Sequence, residues 1–249
     1  VDAIIGAGKS QSIINLINSS DEQKFLVITP YLDEVTRYKH SCPSKNFKTP
    51  QFLGTTKLED IKKLLSSGDN IVSTHALFQR FDSELIDICR ATDYTLIMDE
   101  VADVVSEYYI SKEDFENLLN TYVDVDPNTK QLMWKSEWSG YTGKFDNEKR
   151  LCDLGSLVYY GNSLMVWLFP VEVFNSFRNI YILTYKFDLQ LQRYYYDYYG
   201  LPYTFLSVEG DNIDNYHLVE FDPAITYIKY DYSKLIHICD HNKLNMIGD

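Results

Sequence analysis

Near the start of the chain, Ala3-Ile4-Ile5-Gly6-Ala7-Gly8-Lys9-Ser10 sets two glycines, a lysine and a hydroxyl at a spacing suited to a phosphate chain. Gly6 and Gly8 let successive backbone N–H groups turn into one concavity that side chains would otherwise fill. Gly6, Ala7, Gly8, Lys9, Ser10 and Gln11 would offer those N–H groups to phosphate oxygens. The Lys9 ammonium would reach the β- and γ-phosphates, and the Ser10 hydroxyl would bind Mg²⁺. This is the P-loop pattern, in the variant that opens on Ala. Its complement lies at Leu96-Ile97-Met98-Asp99-Glu100, an apolar strand that ends in two adjacent acids, as a Walker B element does. Asp99 would hold the metal together with Ser10, and Glu100 would polarise the attacking water. Lys9, Asp99 and Glu100 are therefore the expected catalytic set, and ATP and Mg²⁺ the expected cofactors.

Groups so far apart in sequence need a rigid frame to meet. Residues 11–18 carry apolar side chains at 13, 14, 16 and 17, which predicts a buried helix with its positive end toward the phosphates. Strands are expected at 24–30, 70–75 and 96–100, separated by helices at 31–38, 58–65 and 83–90 and a helical turn over 76–81. Repeated β-α-β units imply a parallel sheet with helices on both faces. After Glu100 the pattern changes. Residues 103–120 read as helical, 121–162 are polar and aromatic, and Leu157-Val158-Tyr159-Tyr160 and Leu164-Met165-Val166-Trp167 flank a hairpin turn. Parallel character returns at 179–184, followed by a Tyr-rich helix over 188–199, stopped by Gly200 and Pro202, and a strand over 203–208. The last forty residues alternate like strand, as in Thr226-Tyr227-Ile228-Lys229-Tyr230. The expected division is a core at 1–104, an α+β insertion at 105–165, a second part of the core at 166–210 and a terminal segment at 211–249.

Bulk properties narrow the partners. The 36 acids outnumber 23 lysines and arginines, for a net charge of −13, so broad affinity for nucleic acid is excluded and any such contact must be narrow. The 21 tyrosines suit half-buried surfaces, a protein interface, or stacked bases. Cys42, Cys89, Cys152 and Cys239 stand far apart, which predicts reduced thiols in a cytoplasmic protein. No apolar run is long enough to span a bilayer, so no membrane partner is expected. Only Val1 and Asp2 precede the loop, where a buried strand is normal, so the sequence reads as a piece of a longer chain.

The order of these motifs resembles the first RecA-like domain of superfamily 2 helicases, the DEAD/DEAH group, and is similar to the helicase-like ATPases that phages encode. The matching segments are the loop at 3–10, the 25–30 strand ending in Thr29-Pro30, the 70–78 segment carrying Thr74-His75, the acids at 99–100 and Ile182-Leu183-Thr184. The resemblance implies an α/β RecA-like P-loop NTPase with an insertion after the Walker B strand. It implies that Thr29, Pro30, Thr74 and His75 touch a nucleic-acid backbone and that Thr184 couples hydrolysis to movement. Departures are clear. The acids are followed by Val101-Ala102 where Ala and then Asp or His are usual, and Tyr185 replaces a small residue. A second RecA-like domain with its arginine finger, worth about 10³–10⁵ in rate, is not recognisable, so a further domain or a partner protein is expected to supply it.

These readings imply Mg²⁺-dependent ATP hydrolysis coupled to nucleic-acid translocation or remodelling, in the host cytoplasm if the protein is phage-encoded. A nucleotide-binding switch with a protein-binding aromatic half is the alternative. A packaging-type motor is a further one, although no acid cluster of a nuclease accompanies it. His237, Cys239, Asp240 and His241 alternate in a way that could hold zinc, yet the simpler account is a half-buried strand with polar residues.

Overall fold

The computed structural model describes residues 1–52, 54–161 and 164–228. It opens with the segment at 1–8, followed by α1 (Lys9–Ser19), β1 (Lys24–Thr29), α2 (Leu32–Ser41), α3 (Lys57–Ser66), β2 (Ile71–Thr74), α4 (His75–Phe78), α5 (Ser83–Thr92) and β3 (Tyr94–Asp99). A middle region holds β4 (Val105–Glu107), α6 (Lys112–Asn117), β5 (Val123–Val125), β6 (Leu132–Trp134), α7 (Asp146–Asp153), β7 (Leu157–Tyr160) and β8 (Leu164–Leu168). The chain then forms α8 (Val171–Asn175), β9 (Asn179–Leu183), α9 (Leu191–Tyr199), β10 (Leu206–Glu209), β11 (His217–Glu220) and α10 (Pro223–Ile228).

The central sheet is parallel, in the order β2-β1-β3-β9. The inner strands β1 and β3 are buried on both faces, which is why they read as unbroken apolar runs. Alternate residues serve opposite layers. Phe25, Val27, Val72 and Ile97 pack with Ile13, Ile14 and Ile17 of α1 and Val35 and Tyr38 of α2. Leu26, Ile28, Leu96 and Met98 pack with α3, α4, α5, α8 and α9 on the other face. Helix starts carry their own signals: Thr56 and Asp82 accept hydrogen bonds from Glu59 N and Leu85 N at the heads of α3 and α5.

Val1, Asp2 and Ala3 lie beyond β9. Ala3 N donates to Thr184 O at 3.1 Å, Thr184 N to Val1 O at 3.0 Å and Asp2 N to Leu206 O at 3.0 Å. The start of the chain thus sits between the ends of β9 and β10, and the β10–β11 ribbon packs Val208 against Ala3, Ile4 and Ala7.

Three local expectations change. Residues 105–107 are a strand, because Val105, Ser106 and Glu107 pair with Leu168, Trp167 and Val166 far downstream, a contact that periodicity does not report. The helix begins only at Lys112, behind the Ser111 cap, and widens into a π turn over Leu118–Tyr122. Strand β10 starts at Leu206 rather than 203, because Tyr203 and Phe205 turn their rings onto Phe187. Thr226 lies in helix, not strand: Pro223 opens α10, and the buried Thr226 hydroxyl meets Ser207 Oγ at 2.5 Å. The middle region has its own core, with Leu118, Val123, Leu132, Phe145, Leu151, Leu157 and Met165 buried together.

Candidate functional site

Parallel register brings one residue of each central strand to the same edge. Thr29 pairs with Thr74, and Asp99 with Leu183, so the carboxyl ends of β1, β2, β3 and β9 form a single rim. The Gly-rich loop rises beside that rim. Gly6 and Gly8 take φ of 81° and 88°, conformations that L side chains rarely adopt. A Cβ on Gly8 would lie 2.5 Å from the Tyr216 ring, whereas the space beside Gly6 is open.

The loop is closed from within. Lys9 is buried, and its Nζ donates to Ala3 O at 2.7 Å and Ile4 O at 3.2 Å. Ser10 Oγ donates to Asp99 Oδ1 at 3.4 Å across 89 positions of sequence. The other carboxylate oxygen, Asp99 Oδ2, accepts from Tyr38 OH at 3.2 Å. Glu100 is exposed with φ of 75°, and its N–H is fixed to Leu183 O at 2.9 Å. Gln11 Nε2 donates to Asn15 Oδ1, and Asn15 Nδ2 reaches Ile213 O and Tyr216 O, both at 2.9 Å, pinning the 210–216 turn to α1.

Electrostatics follow from burial. Desolvation raises the Asp99 carboxyl above its ordinary range, against the opposing bonds from Tyr38 and Ser10. Partial desolvation against the loop raises Glu100, although its side chain reaches solvent, with Lys9 pulling the other way; burial lowers Lys9, with Glu100, Asp99 and Asp2 opposing. An added cation at Asp99 or an added anion at Lys9 would relieve these penalties. Among the described residues no three His, Cys, Asp or Glu side chains converge as a metal site. A Mg²⁺ carried on phosphates needs only one or two carboxylates, so the pair Ser10 and Asp99 fits that ion. The open space beside Gly6, and a lysine ammonium that now rests on the loop's own Ala3 and Ile4 carbonyls, fit a phosphate chain that would take their place.

Other residues singled out from sequence divide. Thr184 is buried and joins the rim to residues 1–3 through its backbone. Thr29 is fully buried and its hydroxyl donates to Tyr31 O, so its side chain does not face a surface partner. Pro30 and Thr74 are half-buried at the rim. His75 opens α4, and burial lowers its pKa while Asp103 and the Asp99 backbone act against that. His237, Cys239, Asp240 and His241 lie outside the described residues. Sequence reasoning missed Tyr38, whose hydroxyl reaches Asp99, and Asp2, whose carboxylate accepts from Lys186 N at 2.7 Å and Phe187 N at 3.2 Å. It also missed Gln192, an amide 1% exposed that bonds Ala102. Neither Tyr38 nor Gln192 belongs to a local motif, so only the fold reveals them.

Comparison with known proteins adds two likenesses. Residues 105–167 match the family described as the YonV middle domain. The chain is 36% identical over 261 residues to the "SPbeta prophage-derived uncharacterized protein YonV" of Bacillus subtilis (strain 168). That alignment takes in 100% of this chain, and the chain spans 63% of the relative's length. No solved structure matches. No helix among the described residues is long and apolar enough to cross a membrane.

Proposed function

We propose that the chain binds ATP with Mg²⁺ at the Gly-rich loop and hydrolyses it, and that turnover serves movement along, or remodelling of, nucleic acid. One observation carries this reading: the Ser10 hydroxyl and the Asp99 carboxylate stand 3.4 Å apart, beside a loop that holds the buried Lys9. Phosphates would rest on the N–H groups of residues 6–11, Lys9 would neutralise them, Ser10 and Asp99 would hold the metal, and Glu100 would orient water. The spatial order β2-β1-β3-β9, then residues 1–3, then β10 supports a RecA-like arrangement with the loop beside the switch point of the sheet. A further domain or a partner would supply the arginine that completes the site. Likeness to a prophage-derived protein supports a phage-encoded chain.

The test is nucleotide binding and ATPase rate, with and without single- and double-stranded DNA and RNA. Wild-type protein is expected to bind Mg·ATP and to hydrolyse it faster with nucleic acid, and Lys9→Ala to lose both properties. An unchanged Lys9→Ala would overturn the assignment. A second reading, a nucleotide switch that docks a protein, is favoured by Leu191, Tyr194 and Tyr198, exposed at i, i+3 and i+7 on one face of α9. Tight binding without stimulation by any nucleic acid would select it.

A further inference from the structure

Helix α9 touches the chain at both points where it leaves and re-enters the α/β core to build residues 105–167. On the way out, Ala102 N donates to Gln192 Oε1 at 3.0 Å, and Gln192 Nε2 lies 3.8 Å from Met98 Sδ on β3. On the way back, Tyr195 OH donates to Phe169 O at 2.6 Å. The two crossing strands are themselves joined, Phe169 N to Val104 O at 2.9 Å. Ahead of α9, the turn Phe187–Leu189 hangs from the Asp2 carboxylate, one residue before the Gly-rich segment.

Gln192 is 1% exposed, Ala102 6% and Tyr195 3%, so none of these bonds can be exchanged for water without opening the core. Glu100 stands two residues before Ala102, at the end of the same short turn, and its own N–H is held by Leu183 O. Any shift of the Glu100 turn must therefore carry α9 with it or break a buried bond.

Resting on the ATPase reading above, we infer that Gln192 is a positioning residue of the nucleotide site: through the Ala102 N–H it fixes the turn that aims Glu100, and with Tyr195 it ties that turn to residues 105–167. Gln192 acts on the backbone of Ala102 and not on the reacting atoms. Its effect passes through the backbone of residues 100–102.

The test compares wild type, Gln192→Leu, Gln192→Glu and Tyr195→Phe for affinity toward a fluorescent ATP analogue with Mg²⁺, for kcat, and for backbone hydrogen exchange with and without the analogue. Gln192→Glu keeps an acceptor for the Ala102 N–H. Gln192→Leu is expected to bind the analogue within about threefold of wild type and to lose about tenfold or more in kcat. Exchange at 101–104 is expected to accelerate in that variant, and the change that nucleotide produces in 105–167 to disappear. Gln192→Glu is expected to recover a large part of both properties, and Tyr195→Phe to weaken the response of 105–167 while sparing kcat. Equal losses in Gln192→Leu and Gln192→Glu, or a Gln192→Leu variant with wild-type kcat and exchange, would overturn the inference while leaving the ATPase reading intact. If Gln192→Leu fails to fold, Gln192→Ala, which also removes the acceptor for the Ala102 N–H, takes its place with the same expected and overturning results. A wild type that binds no nucleotide overturns the ATPase reading and this inference together.

Discussion

At the residue scale, both oxygens of Asp99 are engaged, one by Ser10 and the other by Tyr38, which leaves the carboxylate a single orientation. Tyr38→Phe removes one of those bonds from a fully buried site and should cost about 1 kcal/mol of stability. The Tyr38 bond favours the ionised carboxylate, so its loss raises the Asp99 pKa further. Mg²⁺-dependent nucleotide binding in Tyr38→Phe should therefore fail, on acidification, at a higher pH than in wild type. Titration of binding against pH checks this, and coincident curves would separate Tyr38 from the proposed Mg²⁺ site. Glu100 is exposed, and its backbone N–H is held by Leu183 O, so Glu100→Gln should leave the backbone bond intact, keep binding and lose turnover. Single-turnover kinetics read the two separately. At the loop, Gly8→Ala must strain φ and push the Tyr216 ring, whereas Gly6→Ala strains φ alone. Gly8→Ala should accordingly lower the melting temperature more, and an equal loss would show that Tyr216 yields freely.

At the element scale, the site exists because parallel strands end in register. Thr29, Thr74, Asp99 and Leu183 come from strands separated by helical crossovers, and the hydrogen-bond ladders align them. Helices keep that ladder in place through contacts of their own. Lys62 on α3 joins Glu84 at 2.6 Å, Asp82 at 3.0 Å and Glu59 at 3.3 Å, and so links α3 to the head of α5. Replacing it by Met keeps the packing of the stem but leaves three carboxylates facing one another. Because two of the acids are largely exposed, the expected cost is only about 1 kcal/mol, read as a shift of the denaturant midpoint. Elements built from local signals were legible: the capped helices α3 and α5, the apolar strands β1 and β3, and the Gly200 stop of α9, which takes φ of 66°. Elements built from distant pairing were not. Strand β4 has only three residues and forms because β8 lies beside it, and α10 forms because Ser207 holds Asp222 N and the Thr226 hydroxyl.

At the scale of the whole molecule, three buried thiols report on three separate cores. Cys42 packs with α1 and α2, Cys89 with the opposite face of the sheet, and Cys152 within the middle region. Burial pushes Cys42 up to about 11, and Cys89 and Cys152 to about 12, from an ordinary value of 9.0. The unfolded chain would shed these protons above about pH 9 while the folded chain keeps them, so stability should fall as pH rises from there toward the folded values, by up to about 1.4 kcal/mol per pH unit for each thiol. Denaturant melts at about pH 8 and about pH 10 test the sign, and a flat profile would mean that the thiols are reached by water. Under native conditions, a thiol reagent should label Cys152 at a rate of its own if the middle region opens apart from the sheet. The amino-acid sequence by itself determined the alternation of apolar strands and helices, the glycines, lysine and hydroxyl of the loop, and the acids at a strand end, since each is a local pattern of side-chain type and spacing. Only the tertiary structure decided that Ser10 meets Asp99, that Tyr38 and Gln192 hold the two ends of the segment 99–102, and that Thr29 turns inward. Those contacts join residues up to 90 positions apart, and a hydrogen bond across that distance depends on strand register and burial, which no single stretch of sequence contains.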